Sequence, residues 1–91
     1  NMKTKEIHFD GKTYVCRTVK ANDGEDLLIA PTSLLDALQP GSCDDADEGF
    51  ASKEAENIYD EIFFFTDADT LLLPDEELIE ELKQDNVEWF E

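Results

Sequence analysis

The chain has 91 residues, 41% of them hydrophobic, and a formal net charge of −17. That length holds one domain with a single small core, and the apolar share, with six Phe, two Tyr and one Trp, sets it apart from a disordered acidic tail. The charge repels phosphates and anionic lipid, which argues against direct nucleic-acid binding and membrane attachment and favours a basic protein as partner.

The charge is unevenly placed. Residues 1–43 carry a net charge of −1 and residues 44–91 a net charge of −16. Met2 reads as the native start, so Asn1 is set aside and the domain is taken as 2–91. The longest apolar runs, 27–30 and 62–65, have four residues each, far short of the ~20 that span a bilayer. No export-type segment opens the chain, so the expected location is cytoplasmic. Cys16 and Cys43 are too few for a disulfide scaffold.

Residues 4–19 predict a β-hairpin around Asp10-Gly11, a pair suited to the positive φ angles of a type I′ turn. The turn sets Phe9 opposite Lys12, Ile7 opposite Tyr14 and Lys5 opposite Cys16. One face is then Ile7, Phe9, Tyr14 and Cys16; the other, with Glu6, His8, Thr13, Val15 and Arg17, reads as mostly wet. A second tight turn at Asp23-Gly24 would pair Thr18 with Ile29 and Lys20 with Leu27. Leu27 and Ile29 would then join the Tyr14/Cys16 face of a three-stranded meander.

Residues 31–38 predict a short helix with Leu34, Leu35 and Leu38 as its apolar stripe, ended by Pro40-Gly41. Residues 41–50 have loop composition, and Ser52 is placed to cap a helical turn over 53–58. Ile62-Phe63-Phe64-Phe65, apolar on both faces, predicts an interior strand. Leu71-Leu72-Leu73 is a brief strand or a connector. Pro74 opens the strongest helix, over 74–84, with three acids complementing its N-terminal dipole and Leu78, Ile79 and Leu82 inward. The expected fold is α+β: a mainly antiparallel sheet of about four strands with an N-terminal β-meander, packed on two main helices in the order β-β-β-α-(α)-β-α.

Motifs for chemistry are sparse. His8 is the single histidine, and strand alternation puts it on the face opposite Cys16, which disfavours a Cys-His pair. Ser33, Ser42 and Ser52 lie outside any nucleophile-elbow pattern. The EF-hand spacing fails from Asp67 because Leu71, Leu72 and Leu78 fall at positions 5, 6 and 12, and from Asp44 because alanines fall at positions 3 and 12. The run 44–48 retains enough carboxylates for a weak adventitious divalent cation. No catalytic residue, cofactor or specific metal site is expected.

The candidate partner surface is Asp67, Asp69, Glu76, Glu77, Glu80 and Glu81, with Asp60 and Glu61 in the preceding loops and the sticky terminal pair Trp89 and Phe90. The plain account is a solvated acidic face, with the two aromatics folded back onto the core. The sharper account is a small acidic non-enzymatic binding or regulatory protein. Its alternative is a nucleic-acid mimic, whose carboxylates occupy the basic groove of a DNA- or RNA-binding protein. An exposed edge of the meander offers a place for a second copy in a homodimer.

Overall fold

In a computed structural model, described for residues 3–40 and 49–91, the order is β1 (Thr4–Phe9), β2 (Lys12–Lys20), β3 (Asp26–Pro31), α1 (Thr32–Leu38), α2 (Lys53–Glu61), β4 (Phe64–Thr66), a 3₁₀ turn (Thr70–Leu72), α3 (Asp75–Lys83) and α4 (Val87–Phe90). The sheet has spatial order β1-β2-β3-β4. Its first three strands form the antiparallel meander, and β4 adds in parallel to β3. A parallel neighbour requires a crossover, which α1 and α2 supply. The α+β architecture and element order expected from the sequence are therefore present, and α4 is additional to them.

The first hairpin has the expected register: Phe9 pairs with Lys12, Ile7 with Tyr14 and Lys5 with Cys16. Asp10 and Gly11 have φ of 51° and 76°, the double positive φ of a type I′ turn.

The second hairpin departs from expectation by one residue. Arg17 pairs with Ile29, Thr18 with Leu28, Val19 with Leu27 and Lys20 with Asp26. The connection is a three-residue loop rather than a two-residue one. The Ala21 amide donates to the Glu25 carbonyl at 2.9 Å, and the Gly24 amide donates back to the Ala21 carbonyl at 3.0 Å. Gly24 sits at φ 89°, the left-handed position that closes a type I turn with a bulge. The Asp23 carboxylate accepts from the Glu25 amide at 2.9 Å and braces it.

One residue of register exchanges the two faces of a strand. Leu28 and Ala30, rather than Leu27 and Ile29, join Ile7, Phe9 and Cys16, and this side is covered by Leu34 and Leu38 of α1 and Ala55 of α2. Leu27 and Ile29 join Val19 on the other side, under Leu71 of the 3₁₀ turn and Leu78 and Leu82 of α3. The sheet is thus the middle of three layers, with an apolar cluster on each face.

One further expectation changes and one open alternative is decided. The 62–65 segment is not an interior strand: β4 is a three-residue edge strand, and it is apolar on both faces because it spans both clusters. Phe65 packs into the first cluster, and Phe63 and Phe64 into the second. Leu71-Leu72-Leu73 is a connector, of which Leu71 is buried and Leu72 exposed.

The helices start as their sequences dictate. The Ser52 hydroxyl accepts from the Ala55 amide at 3.1 Å and caps α2. Pro31 and Pro74 occupy the positions just before α1 and α3. Pro74 therefore stands one residue ahead of the first helical position expected for it. Asp75, Glu76 and Glu77 fill the first turn of α3 and Lys83 its last, each of the sign the helix dipole favours.

Candidate acidic binding surface

The surface is built outward from α3. Leu78 and Leu82 are fully buried and Ile79 is half-buried against the same cluster. Helical periodicity then turns Glu76, Glu77, Glu80 and Glu81 to solvent, and all four are exposed. None forms an ion pair among the described residues. They stand as two like-charge i,i+4 pairs, Glu76/Glu80 and Glu77/Glu81, each costing the helix a few tenths of a kcal/mol. Asp69 and Asp67 are exposed before the 3₁₀ turn, and their backbone carbonyls accept the Leu72 and Leu71 amides that close it.

The fold brings Asp67 to the C-terminal end of α3. Both line a groove of about 300 Å³ beside β4, with Thr66, Glu81 and Asp85 among its walls. Asp85 was missed in the sequence, although it follows Glu81 at the i,i+4 spacing that defines the face. Asp60 and Glu61 are not part of this surface. They occupy the last turn of α2 rather than a loop, and α2 covers the opposite side of the sheet. The acidity of the second half is therefore split between two faces.

Trp89 and Phe90 are separated from the carboxylates by function in the fold. Both are half-buried against the second cluster, and the Trp89 indole meets Phe63 edge to face at a centroid distance of 5.3 Å. The Asn22 amide donates to the Trp89 carbonyl at 2.7 Å, and Asn22 Nδ2 to the Glu88 carbonyl at 3.2 Å, tying α4 to the second hairpin. Lys83 pairs with Glu91 at 3.0 Å. That contact raises the Lys83 pKa, through the hydrogen bond first and the Coulombic attraction second.

Arg17 corrects the sequence reading most. Rather than lying on a wet face, it is 1% exposed, the one charged side chain buried among the described residues. Nη1 donates to the Leu71 and Leu73 carbonyls at 2.6 Å each, and Nη2 pairs with the Asp75 carboxylate. It thereby takes Asp75 out of the exposed acidic set. No signal in the local sequence marks it, because its partners lie 54 to 58 residues away.

The other candidate residues are apart from this surface. His8 is exposed and exchanges a hydrogen bond with Thr13 at 3.0 Å. Cys16 is fully buried, and burial pushes its thiol up to about 11, with Lys5 opposing. Cys43 and the carboxylate run 44–48 lie outside the described residues. Among the described residues no group of three or more His, Cys, Asp or Glu side chains is placed to hold a metal ion, and no helix is long and apolar enough to cross a membrane.

No family model, curated protein or solved structure matches the chain.

Proposed function

We propose that this chain is a small acidic non-enzymatic binding or regulatory protein that engages a basic protein partner through Asp67, Asp69 and the exposed glutamates of α3. The observation that carries the reading is the state of those glutamates. Four carboxylates stand exposed on one short helix with no cation paired to them among the described residues. A surface meant only to stay hydrated gains more from interspersed signs, because like charges at i,i+4 weaken the helix.

The two i,i+4 columns also favour a narrower form of this reading, a nucleic-acid mimic that occupies a basic groove. Residues paired at i,i+4 have Cβ atoms about 6 Å apart, so each pair presents adjacent carboxylates, and a groove that neutralises a phosphate track attracts them for the same electrostatic reason. A cytoplasmic setting fits a buried thiol, and the outer edge of β1, unpaired among the described residues, is where a second copy would add.

The test is capture from an extract of the native host on immobilised protein, with elution by a salt gradient. A basic protein eluting at moderate salt is the expected result, and its displacement by duplex DNA marks the mimic. Capture indifferent to salt, or of acidic proteins alone, contradicts the reading.

A further inference from the structure

We infer that the partner anchors itself by one apolar side chain in a groove beside the acidic loop. This inference rests on the reading above and adds the chemistry of the contact. The groove, about 380 Å³, lies between the outer face of β1 and β2 and the connector before α3. Its walls include Val15, Leu71 and Leu72, with Thr4, Thr13 and Ser33. Val15 is 52% and Leu72 71% exposed, two of the four large hydrophobic side chains left exposed among the described residues. They are far apart in sequence yet share this one depression. Arg17, held by the connector carbonyls and Asp75, makes its fixed floor.

Charge selects the occupant. Ala68 is in the groove wall, and its chain neighbours Asp67 and Asp69 are both exposed. Strand alternation puts Glu6 and His8 on this same face of β1, and puts Lys5, Lys12 and Lys20 on the other face of the sheet. The surroundings of the groove are therefore acidic, and the neighbouring lysines point away from it. An apolar centre with a charged rim is the ordinary anatomy of an interface. The complementary ligand is an extended basic segment that inserts a leucine-sized side chain and lays its flanking lysines or arginines on Asp67 and Asp69.

Two capped nine-residue peptides test this, each with eight lysines and either leucine or serine at the centre, titrated calorimetrically at low salt. The leucine peptide should bind about tenfold more tightly. Val15→Thr with Leu72→Ser should abolish that preference and leave the serine peptide unchanged. Both sites are exposed, and far-UV circular dichroism verifies that the variant is folded. Asp67→Asn with Asp69→Asn should weaken both peptides alike. Equal affinity for the two peptides overturns the groove while the acidic surface stands. Failure of both to bind overturns groove and surface together. A leucine preference that survives the Val15/Leu72 variant also overturns the proposal, as does a dimer in sedimentation velocity that the same variant dissociates, since the occupant is then a second copy.

Discussion

Arg17 shows how a single side chain joins the two halves of the chain. Its guanidinium gathers two carbonyls of the connector and the first carboxylate of α3, so the sheet and the acidic helix are fixed by one group. Asp75 is 44% exposed and rehydrates if the guanidinium is removed, so the cost falls on the Leu71 and Leu73 carbonyls, which lose their donor, and on the packing of the buried side chain. Arg17→Ala should lower unfolding free energy by about 2 kcal/mol in urea titration. Arg17→Lys should not restore it, since a single ammonium cannot replace the planar fork. Alternation in β2 correctly assigned the Arg17 side chain to the face opposite Cys16. What could not be read locally was that a connector more than fifty residues away covers that part of the face. Cys16 offers a check on the other cluster. Its folded pKa of about 11 stands above the unfolded 9.0, so its contribution to stability is full below pH 9 and is lost as pH rises from 9 towards 11. In a Cys43→Ser variant at pH 8, a thiol reagent should modify Cys16 only as fast as the protein unfolds; rapid modification of the native protein would refute its burial. The Asp26 carboxyl, held down by the Lys20 hydrogen bond first, works with the opposite sign: its contribution is present above the ordinary carboxylate pKa and fades as pH falls through the lowered one.

At the scale of elements, the two hairpins show what turn chemistry decides. Asp10-Gly11 was legible because both residues of a type I′ turn need positive φ, and Asp-Gly supplies them. Asn22-Asp23-Gly24 contains the same pair, but Asn22 joins the loop and only Gly24 takes positive φ. The sequence around it did not distinguish two loop residues from three, and that single residue decided which face Leu27, Leu28 and Ile29 serve. Gly24→Ala should cost about 1 kcal/mol, measured by thermal or urea unfolding, although a Cβ there meets nothing within 4 Å, because the cost is conformational rather than steric. Leu78 supplies the packing side of α3: it is fully buried, and Leu78→Ala should cost about 3 kcal/mol. The inward faces of α1 and α3 were readable from the spacing of leucines alone. β4 was misplaced for a physical reason, since a strand apolar on both faces can be central or can be an edge that plugs two clusters.

At the scale of the molecule, the three layers sort the charge. The sheet separates the acids of α2 from those of α3, so the −16 of the second half does not act as one patch. Self-repulsion within each group should make the melting temperature rise from low to moderate salt; a melting temperature independent of ionic strength would contradict this. The candidate surface was legible as far as it follows one helix, through Glu76, Glu77, Glu80 and Glu81. Asp85 continues that face at the i,i+4 spacing from Glu81, whereas the apolar groove required the fold, because its walls come from the connector and the first hairpin. Trp89 and Phe90 read first as aromatics folded back onto the core and secondly as anchors, and contacts with Phe63 and Asn22 bring them against the second cluster. The central claim is that the exposed glutamates of α3 are there to bind. It is tested most directly by comparing extract capture on the wild-type chain and on Glu76→Gln, Glu77→Gln, Glu80→Gln, Glu81→Gln combined. Relief of the two like-charge pairs offsets the lost charge–dipole attraction of Glu76 and Glu77, and far-UV circular dichroism with urea unfolding verifies that the variant is folded, so lost capture cannot be ascribed to unfolding. The account predicts that the basic protein held by the wild type is lost from the variant; retention of the same protein at the same salt concentration would contradict it.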